Sequence, residues 1–171
     1  MMLAMGKHPP LVKDDFFNTL KIDAMINLDM VGRLRPDKGL YVQGYQTGDE
    51  RLNSIIDEAF RESRFPSDIK MNSVPGGNGP SDHLEFYRKK MPVVFLFTGS
   101  HRQYHTQDDD FETINISGAL SVAKFAELIG LKLALLDRPI AYRQAPSEPE
   151  REAFDFDVRL GIVPAGYENN T

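Results

Sequence analysis

The chain has 171 residues, of which 41% are hydrophobic and 10% aromatic, enough apolar side chains for the core of one domain. It carries 20 lysines and arginines against 25 aspartates and glutamates, a formal charge of −5. This balance argues against a nucleic-acid partner, because binding phosphates requires a basic surface. No apolar run approaches the roughly 18 residues of a membrane span. Without cysteine, any metal site must use histidine and carboxylate ligands.

The first half of the chain predicts strands and one helix. Residues 24–30 are mostly apolar on both faces, which is typical of a buried parallel strand, and residues 39–45 alternate as a second strand. Residues 49–64 predict an amphipathic helix with Asp49 as its N-cap. Residues 68–74 predict a short third strand.

The second half continues the alternation. After the turn-rich segment 75–80, Ser81 is predicted to cap a short helix that ends near residue 90. Residues 92–98 form the clearest buried strand, and residues 116–136 predict a long helix. Strands alternating with helices predict an α/β fold, in which a mixed or parallel sheet is covered by helices on both faces.

Asp29 lies at the end of the first predicted strand, just before Gly32. An ionised carboxylate there is costly unless a partner compensates it. In open α/β sheets, carboxylates at the carboxyl ends of central strands face the ligand crevice. The alternative is a strand-end aspartate that caps the following loop.

His105 lies in the polar loop 99–111, which follows the strongest strand. Asp108, Asp109 and Asp110 come next, and any of them can fix the tautomer of the imidazole. The alternative is an exposed histidine beside a solvated acidic run. His8 and His101 have no local support and are interpreted as surface residues.

The sequence Ser81-Asp82-His83 looks like a nucleophile arrangement, but adjacent residues on a helix point in different directions and cannot form a relay. Asp82 is better interpreted as a cap of the helix start or as support for a neighbouring site. Nitrogen and oxygen ligands without sulfur suit zinc, or less specifically manganese or cobalt.

Three motifs in order resemble the zinc-dependent aminopeptidases of peptidase family M28. They are the stretch 27–33 (Asn-Leu-Asp-Met-Val-Gly-Arg), the stretch 79–83 (Gly-Pro-Ser-Asp-His), and Tyr104-His105-Thr106 with Asp109. Their order and approximate spacing match the C-terminal half of that catalytic domain and cover roughly residues 5–137.

This resemblance implies a three-layer α/β/α sandwich with a mixed, mostly parallel sheet and two zinc ions. It implies that Asp29 binds one zinc and His105 the other, that Tyr104 stabilises the oxyanion, and that Asp82 and Asp109 support the ligands from outside the coordination sphere. The implied activity is metal-assisted hydrolysis of N-terminal peptide bonds, with a peptide as substrate.

The chain departs from the family upstream of Asp29. It has no His-x-Asp motif there and no glutamate before Glu50, so the family's general base and most of its metal ligands are missing. We therefore expect a sheet that is incomplete on its N-terminal side, weak or absent zinc binding and an inactive isolated chain. An uncovered sheet edge and exposed apolar helix faces, including that of residues 116–136, predict self-association.

The expected domain layout has three parts: a partial catalytic domain at residues 1–137, a proline-rich linker at 138–152, and the first strand of a PDZ-like module at 153–171. Family members are often exported, although residues 1–10 do not have a signal-peptide pattern. Two alternatives remain for function. One is a non-catalytic accessory or binding module with a degenerate peptidase fold, and the other is a carboxypeptidase or glutaminyl-cyclase-like relative.

Overall fold

The computed structural model describes residues 22–146. Its four strands form one sheet in the order β1-β4-β2-β3, namely β1 (Met25–Leu28), β2 (Leu40–Gln43), β3 (Met71–Val74) and β4 (Val93–Phe97). The α-helices are α1 (Glu50–Glu62), α2 (His83–Arg88) and α3 (Ile116–Ala134), and there are short 3-10 turns at Val31–Arg33 and Phe111–Thr113.

The sheet is mixed. β1 runs parallel to β4 with Ile26 opposite Val94, β2 runs parallel to β3, and only the contact of β2 with β4 is antiparallel. The predicted α/β fold with a mixed, mostly parallel sheet is confirmed. Because β1 and β4 are parallel neighbours, the loops that leave their carboxyl ends start at the same edge of the sheet.

The sheet is covered on both faces. Val94 and Leu96 of β4 belong to a buried cluster that also contains apolar residues of α1 and α3. On the opposite face, Phe95 stacks on His83 of α2, with 4.3 Å between the ring centroids. Side chains alternate across a strand, so β4 contacts both helical layers, as the three-layer arrangement requires.

Asp49 caps α1 as predicted. Its carboxylate accepts hydrogen bonds from the backbone N–H groups of Arg51 at 3.1 Å and of Ala141 at 2.9 Å. It also pairs with the guanidinium of Arg51 at 2.8 Å. These contacts, above all the one with the Arg51 side chain, hold the pKa of Asp49 well below its usual range.

The prediction that Ser81 caps the next helix is wrong. Helix α2 begins at His83, with Asp82 in the N-cap position and no side-chain cap. The hydroxyl of Ser81 instead donates to Oδ2 of Asp29 at 2.8 Å. Ser81 therefore binds a residue 52 positions earlier in the chain and not the backbone at the start of α2.

The first part of the predicted linker packs onto the domain. Ile140 and Ala145 are buried, Tyr142 forms a β-bridge with Gly48, and the N–H of Arg143 donates to the Thr47 carbonyl at 2.9 Å. The rest of the linker and the predicted PDZ-like strand lie outside the described residues. Within the described part, none of the helices has the length and apolar character to cross a membrane.

We predict that Asp49→Ala lowers the free energy of unfolding by about 1 kcal/mol, the usual cost of losing an N-cap. Because the pKa of Asp49 is lowered in the folded state, its contribution is present above a pH of about 4 and is lost as the pH falls further. Urea denaturation at pH 6 and pH 3 checks both points. Asp68→Asn changes an exposed carboxylate and serves as the control; equal losses in the two variants would contradict the assignment.

Candidate active site

The loops after β1 and β4 are joined at the carboxyl edge of the sheet. The N–H of Asp29 donates to the Leu96 carbonyl at 3.2 Å. The Thr98 hydroxyl donates to the Met30 carbonyl at 2.5 Å and accepts from the N–H of Arg33 at 3.3 Å. The backbone that carries Asp29 is therefore fixed to the end of β4.

A chain of side-chain hydrogen bonds orients Asp29. The amide of Asn27 donates to the Ser81 hydroxyl at 2.8 Å, and that hydroxyl donates to Oδ2 of Asp29 at 2.8 Å. Asp29 itself is exposed, so its carboxylate faces solvent while one oxygen is held from the protein side. The described residues donate no hydrogen bond to its other oxygen, which leaves that oxygen available to a ligand.

His83 lies behind this chain. It is fully buried, its Nδ1 is 3.4 Å from the amide nitrogen of Asn27, and its buried Nε2 has no hydrogen-bond partner among the described residues. Burial lowers the pKa of His83, against a smaller opposing effect of the charges on Asp29 and Asp82. The lowered pKa favours the neutral imidazole near pH 7.

The stretch from Ser81 to His83 thus forms no catalytic relay, as the sequence predicted. Ser81 binds Asp29, whereas His83 packs on the sheet. Asp82 is exposed and makes no cap bond, and its described influence is its charge near His83. The first residue of this motif, Gly79, lies too close to His83 for a larger residue to fit easily, because a Cβ on Gly79 would lie 3.1 Å from Nε2 of His83.

Tyr104 and His105 form an exposed pair in the loop after β4. Their ring centroids are 3.8 Å apart and nearly parallel, at 20°. His105 has φ 57° and Met30, in the other loop, has φ 51°. Both residues are in the left-handed region that side chains other than glycine rarely adopt, as are Arg64 and Lys90 outside these two loops.

Asp109 contacts Arg33 and His101 and not His105, the partner that the sequence suggested. Its Oδ1 accepts from the Arg33 guanidinium at 2.5 Å, and its Oδ2 is 3.8 Å from Nε2 of His101. No described hydrogen bond joins Asp109 to His105. The ion pair instead ties the loop that carries Asp29 to the loop that carries His105.

Interpreting His101 as a surface residue is wrong, because only 6% of its side chain is exposed. Burial, followed by the charge of Arg33, lowers its pKa. Sequence reasoning also missed Arg33 as a structural contact. Its position in the same motif as Asp29, four residues further along, could have indicated that role.

A complete zinc site is not present in residues 22–146, where no three histidine, aspartate or glutamate side chains are arranged to hold a metal ion. Structural zinc sites need four ligands, and catalytic ones need three from the protein. Asp29 and His105 supply at most two. The described residues by themselves therefore do not fit the metal, and His8 lies outside them.

Comparison with known proteins identifies the family. The model of peptidase family M28 matches residues 7–129, so the chain belongs to this family. A search of curated proteins finds no match.

Solved structures of two aminopeptidases are similar to the chain. LapA aminopeptidase of Legionella pneumophila is 21% identical with a TM-score of 0.53, and the match covers 70% of this chain and 33% of that one. A second LapA structure gives a TM-score of 0.55. The aminopeptidase of Aneurinibacillus sp. strain AM-1 is 19% identical with a TM-score of 0.51, covering 81% of this chain and 30% of that one. The likeness shows the shared fold, and the chain spans about a third of the length of these proteins.

We predict that Ser81→Ala lowers the free energy of unfolding by about 1–2 kcal/mol, because it removes the acceptor at 2.8 Å from the part-buried amide of Asn27 and leaves only Nδ1 of His83 at 3.4 Å. Urea denaturation measures the loss. Ser54→Ala is the control, since that hydroxyl bonds only an exposed helix carbonyl. If Ser81→Ala costs no more than Ser54→Ala, the hydrogen-bond chain is not a stabilising feature.

We also predict that stability falls as the pH is lowered from about 7.5 to 5. The pKa of His83 is below its ordinary value in the folded state, so below a pH of about 6.5 the unfolded chain binds more protons. His83→Phe keeps an aromatic ring against Phe95 and cannot be protonated, so its fall should be smaller. His101, whose pKa is lowered in the same direction, accounts for part of the remaining fall. Urea denaturation at several pH values measures the free energy of unfolding of both proteins. If that free energy depends on pH identically in the wild type and in His83→Phe, protonation of His83 does not cause the loss of stability.

Proposed function

We propose that the chain contributes part of the active site of a metal-dependent aminopeptidase, which hydrolyses the N-terminal peptide bond of a peptide substrate. The observation that carries the proposal is the exposed carboxylate of Asp29, fixed by Asn27 and Ser81 at the carboxyl edge of the sheet. Membership of a peptidase family and a fold shared with aminopeptidases support it.

In this proposal Asp29 and His105 are ligands of two different zinc ions. Each follows one of two neighbouring parallel strands, and the two loops are cross-linked by the Arg33–Asp109 ion pair. Residues 22–146 do not supply the remaining ligands, so the proposal requires these ligands and the general base to come from outside the 171 residues. Because two donors are too few for tight binding, zinc is bound weakly by this chain alone.

Tyr104 is proposed to donate a hydrogen bond to the substrate carbonyl oxygen as negative charge develops on it. Its ring is exposed and rests on His105 and edge-on against His101. These contacts limit the positions of the ring, which keeps the entropic cost of orienting the phenol small. Asp82 and Asp109 have supporting roles, the first through its charge and the second through Arg33.

A non-catalytic module with a degenerate peptidase fold is the second candidate, and the incomplete ligand set among residues 22–146 favours it. The two proposals differ for a longer polypeptide that includes the preceding part of the catalytic domain. The aminopeptidase proposal requires activity there, whereas the module proposal requires none. The solved relatives are both described as aminopeptidases, which supports that activity over a carboxypeptidase or cyclase.

We predict negligible hydrolysis of leucine p-nitroanilide by the purified 171-residue chain, even with added zinc, because the general base and most ligands are missing. Release of nitroaniline measured against a buffer blank checks this. Robust turnover that is lost with a chelator would show that the chain carries a complete site, and the proposal that it contributes only part of one would then be abandoned.

In the longer polypeptide we predict that Asp29→Ala and His105→Ala each abolish activity and reduce bound zinc by about one ion per molecule, since each removes a ligand of a different cation. Metal content by atomic absorption and hydrolysis of the same substrate are the two measurements. Asp68→Ala, on an exposed turn, is the matched control. Unchanged zinc content in both site variants would refute the ligand assignment.

A further inference from the structure

Helix α3 is apolar on two opposite faces, and only one of them is covered in the described structure. Val122, Phe125 and Ile129 are fully buried against the core. The outer face, together with the C-cap residue Leu135, keeps four large apolar side chains in solvent, with exposures of 62% at Ile116, 70% at Leu120, 53% at Leu131 and 82% at Leu135. A helix that is hydrophobic all round is normally buried all round.

These four residues form one continuous stripe together with Lys124 and Glu127. Successive positions in the stripe are four, four, three, four and four residues apart. At about 100° per residue, all six side chains fall within an arc of about 100°. Lys124 and Glu127 are exposed, and neither has an ion-pair partner among the described residues. We call this set the α3 stripe.

The α3 stripe is symmetric about its own midpoint. Positions 116 and 135, 120 and 131, and 124 and 127 lie at equal distances from the point between residues 125 and 126. When two copies of the helix pair antiparallel about a twofold axis at that point, Ile116 meets Leu135 and Leu120 meets Leu131. At the centre, each Lys124 then meets the Glu127 of the other copy.

We propose that the α3 stripe is the interface of a twofold-symmetric homodimer in which the two α3 helices pack antiparallel. A twofold interface uses the same patch on both copies and must therefore be self-complementary. The α3 stripe meets this condition in both its apolar and its charged positions.

The charged positions also select the orientation. In an antiparallel pair, two Lys124–Glu127 contacts form at the centre of the interface, whereas a parallel pair places Lys124 beside Lys124 and Glu127 beside Glu127. A polar pair inside an otherwise apolar helix seam commonly fixes register and orientation in this way. Four side chains that are more than half exposed form an apolar surface on the order of a few hundred Å², comparable with the largest apolar patch of a typical monomer, which is often functional.

The proposal does not depend on the enzymatic role of the chain, because the α3 stripe contains none of the proposed site residues. Sedimentation equilibrium of the whole chain is the first test, and a dimer is expected. The double variant L120E/L131E should be monomeric. The control Ser54→Glu adds a carboxylate to the exposed surface of α1 and should remain dimeric.

Charge exchange tests the pairing at the centre. K124E alone or E127K alone brings like charges together at two symmetric contacts, so the dissociation constant should rise about fivefold or more at low ionic strength. The double exchange K124E/E127K restores opposite charges and should return the constant to within about twofold of the wild-type value.

Cysteine cross-linking tests the orientation, and the chain contains no cysteine of its own. In an antiparallel pair the two copies of residue 120 are about 16 Å apart along the helices, beyond the reach of a disulfide, which joins Cα atoms less than about 7 Å apart. L120C alone should therefore not form a cross-linked dimer on oxidation, whereas a mixture of L120C with L131C should.

Three results would overturn the proposal. The first is a monomer at all concentrations, which would mean that another segment or another protein covers the stripe. The second is a dimer unaffected by L120E/L131E, which would place the interface elsewhere, for example at the edge of β1. The third is efficient cross-linking of L120C alone, which would indicate a parallel pair.

Discussion

The parallel pairing of β1 with β4 is the constraint on which the rest of the site depends. It brings the loop of Asp29 and the loop of His105 to one edge of the sheet, where Thr98 and the Arg33–Asp109 ion pair bind the loops together. Hydrogen bonds through Ser81 then add the start of α2 to the same edge. A one-residue slip of β1 would reverse its faces and separate Asp29 from Ser81.

The sequence predicted the elements well because their apolar periodicity is strong. The predicted strand 92–98 and helix 116–136 agree with β4 and α3 to within two residues. The Asp49 cap could be predicted because it depends on residues next to it in the sequence. Ser81 and His101 were misassigned for the opposite reason. Their partners, Asp29 and Asp109, are fixed by the tertiary fold, and nothing in the neighbouring residues indicates them.

The described residues hold the carboxylate of Asp29 in a fixed position and leave an apolar face of α3 uncovered. The Asn27–Ser81–Asp29 hydrogen bonds and the buried neutral His83 orient one carboxylate without needing a metal to hold it. This kind of prior positioning lowers the cost of binding a cation later. The outer face of α3 is exposed among the described residues, and the proposed homodimer would cover it.

The central claim is that Asp29 and His105 bind adjacent cations. The most direct measurement is a zinc-edge anomalous diffraction map from crystals of a polypeptide that includes the preceding part of the catalytic domain. Two anomalous peaks are expected, one within about 2.2 Å of a carboxylate oxygen of Asp29 and the other within about 2.1 Å of an imidazole nitrogen of His105. Zinc peaks that contact neither side chain would contradict it.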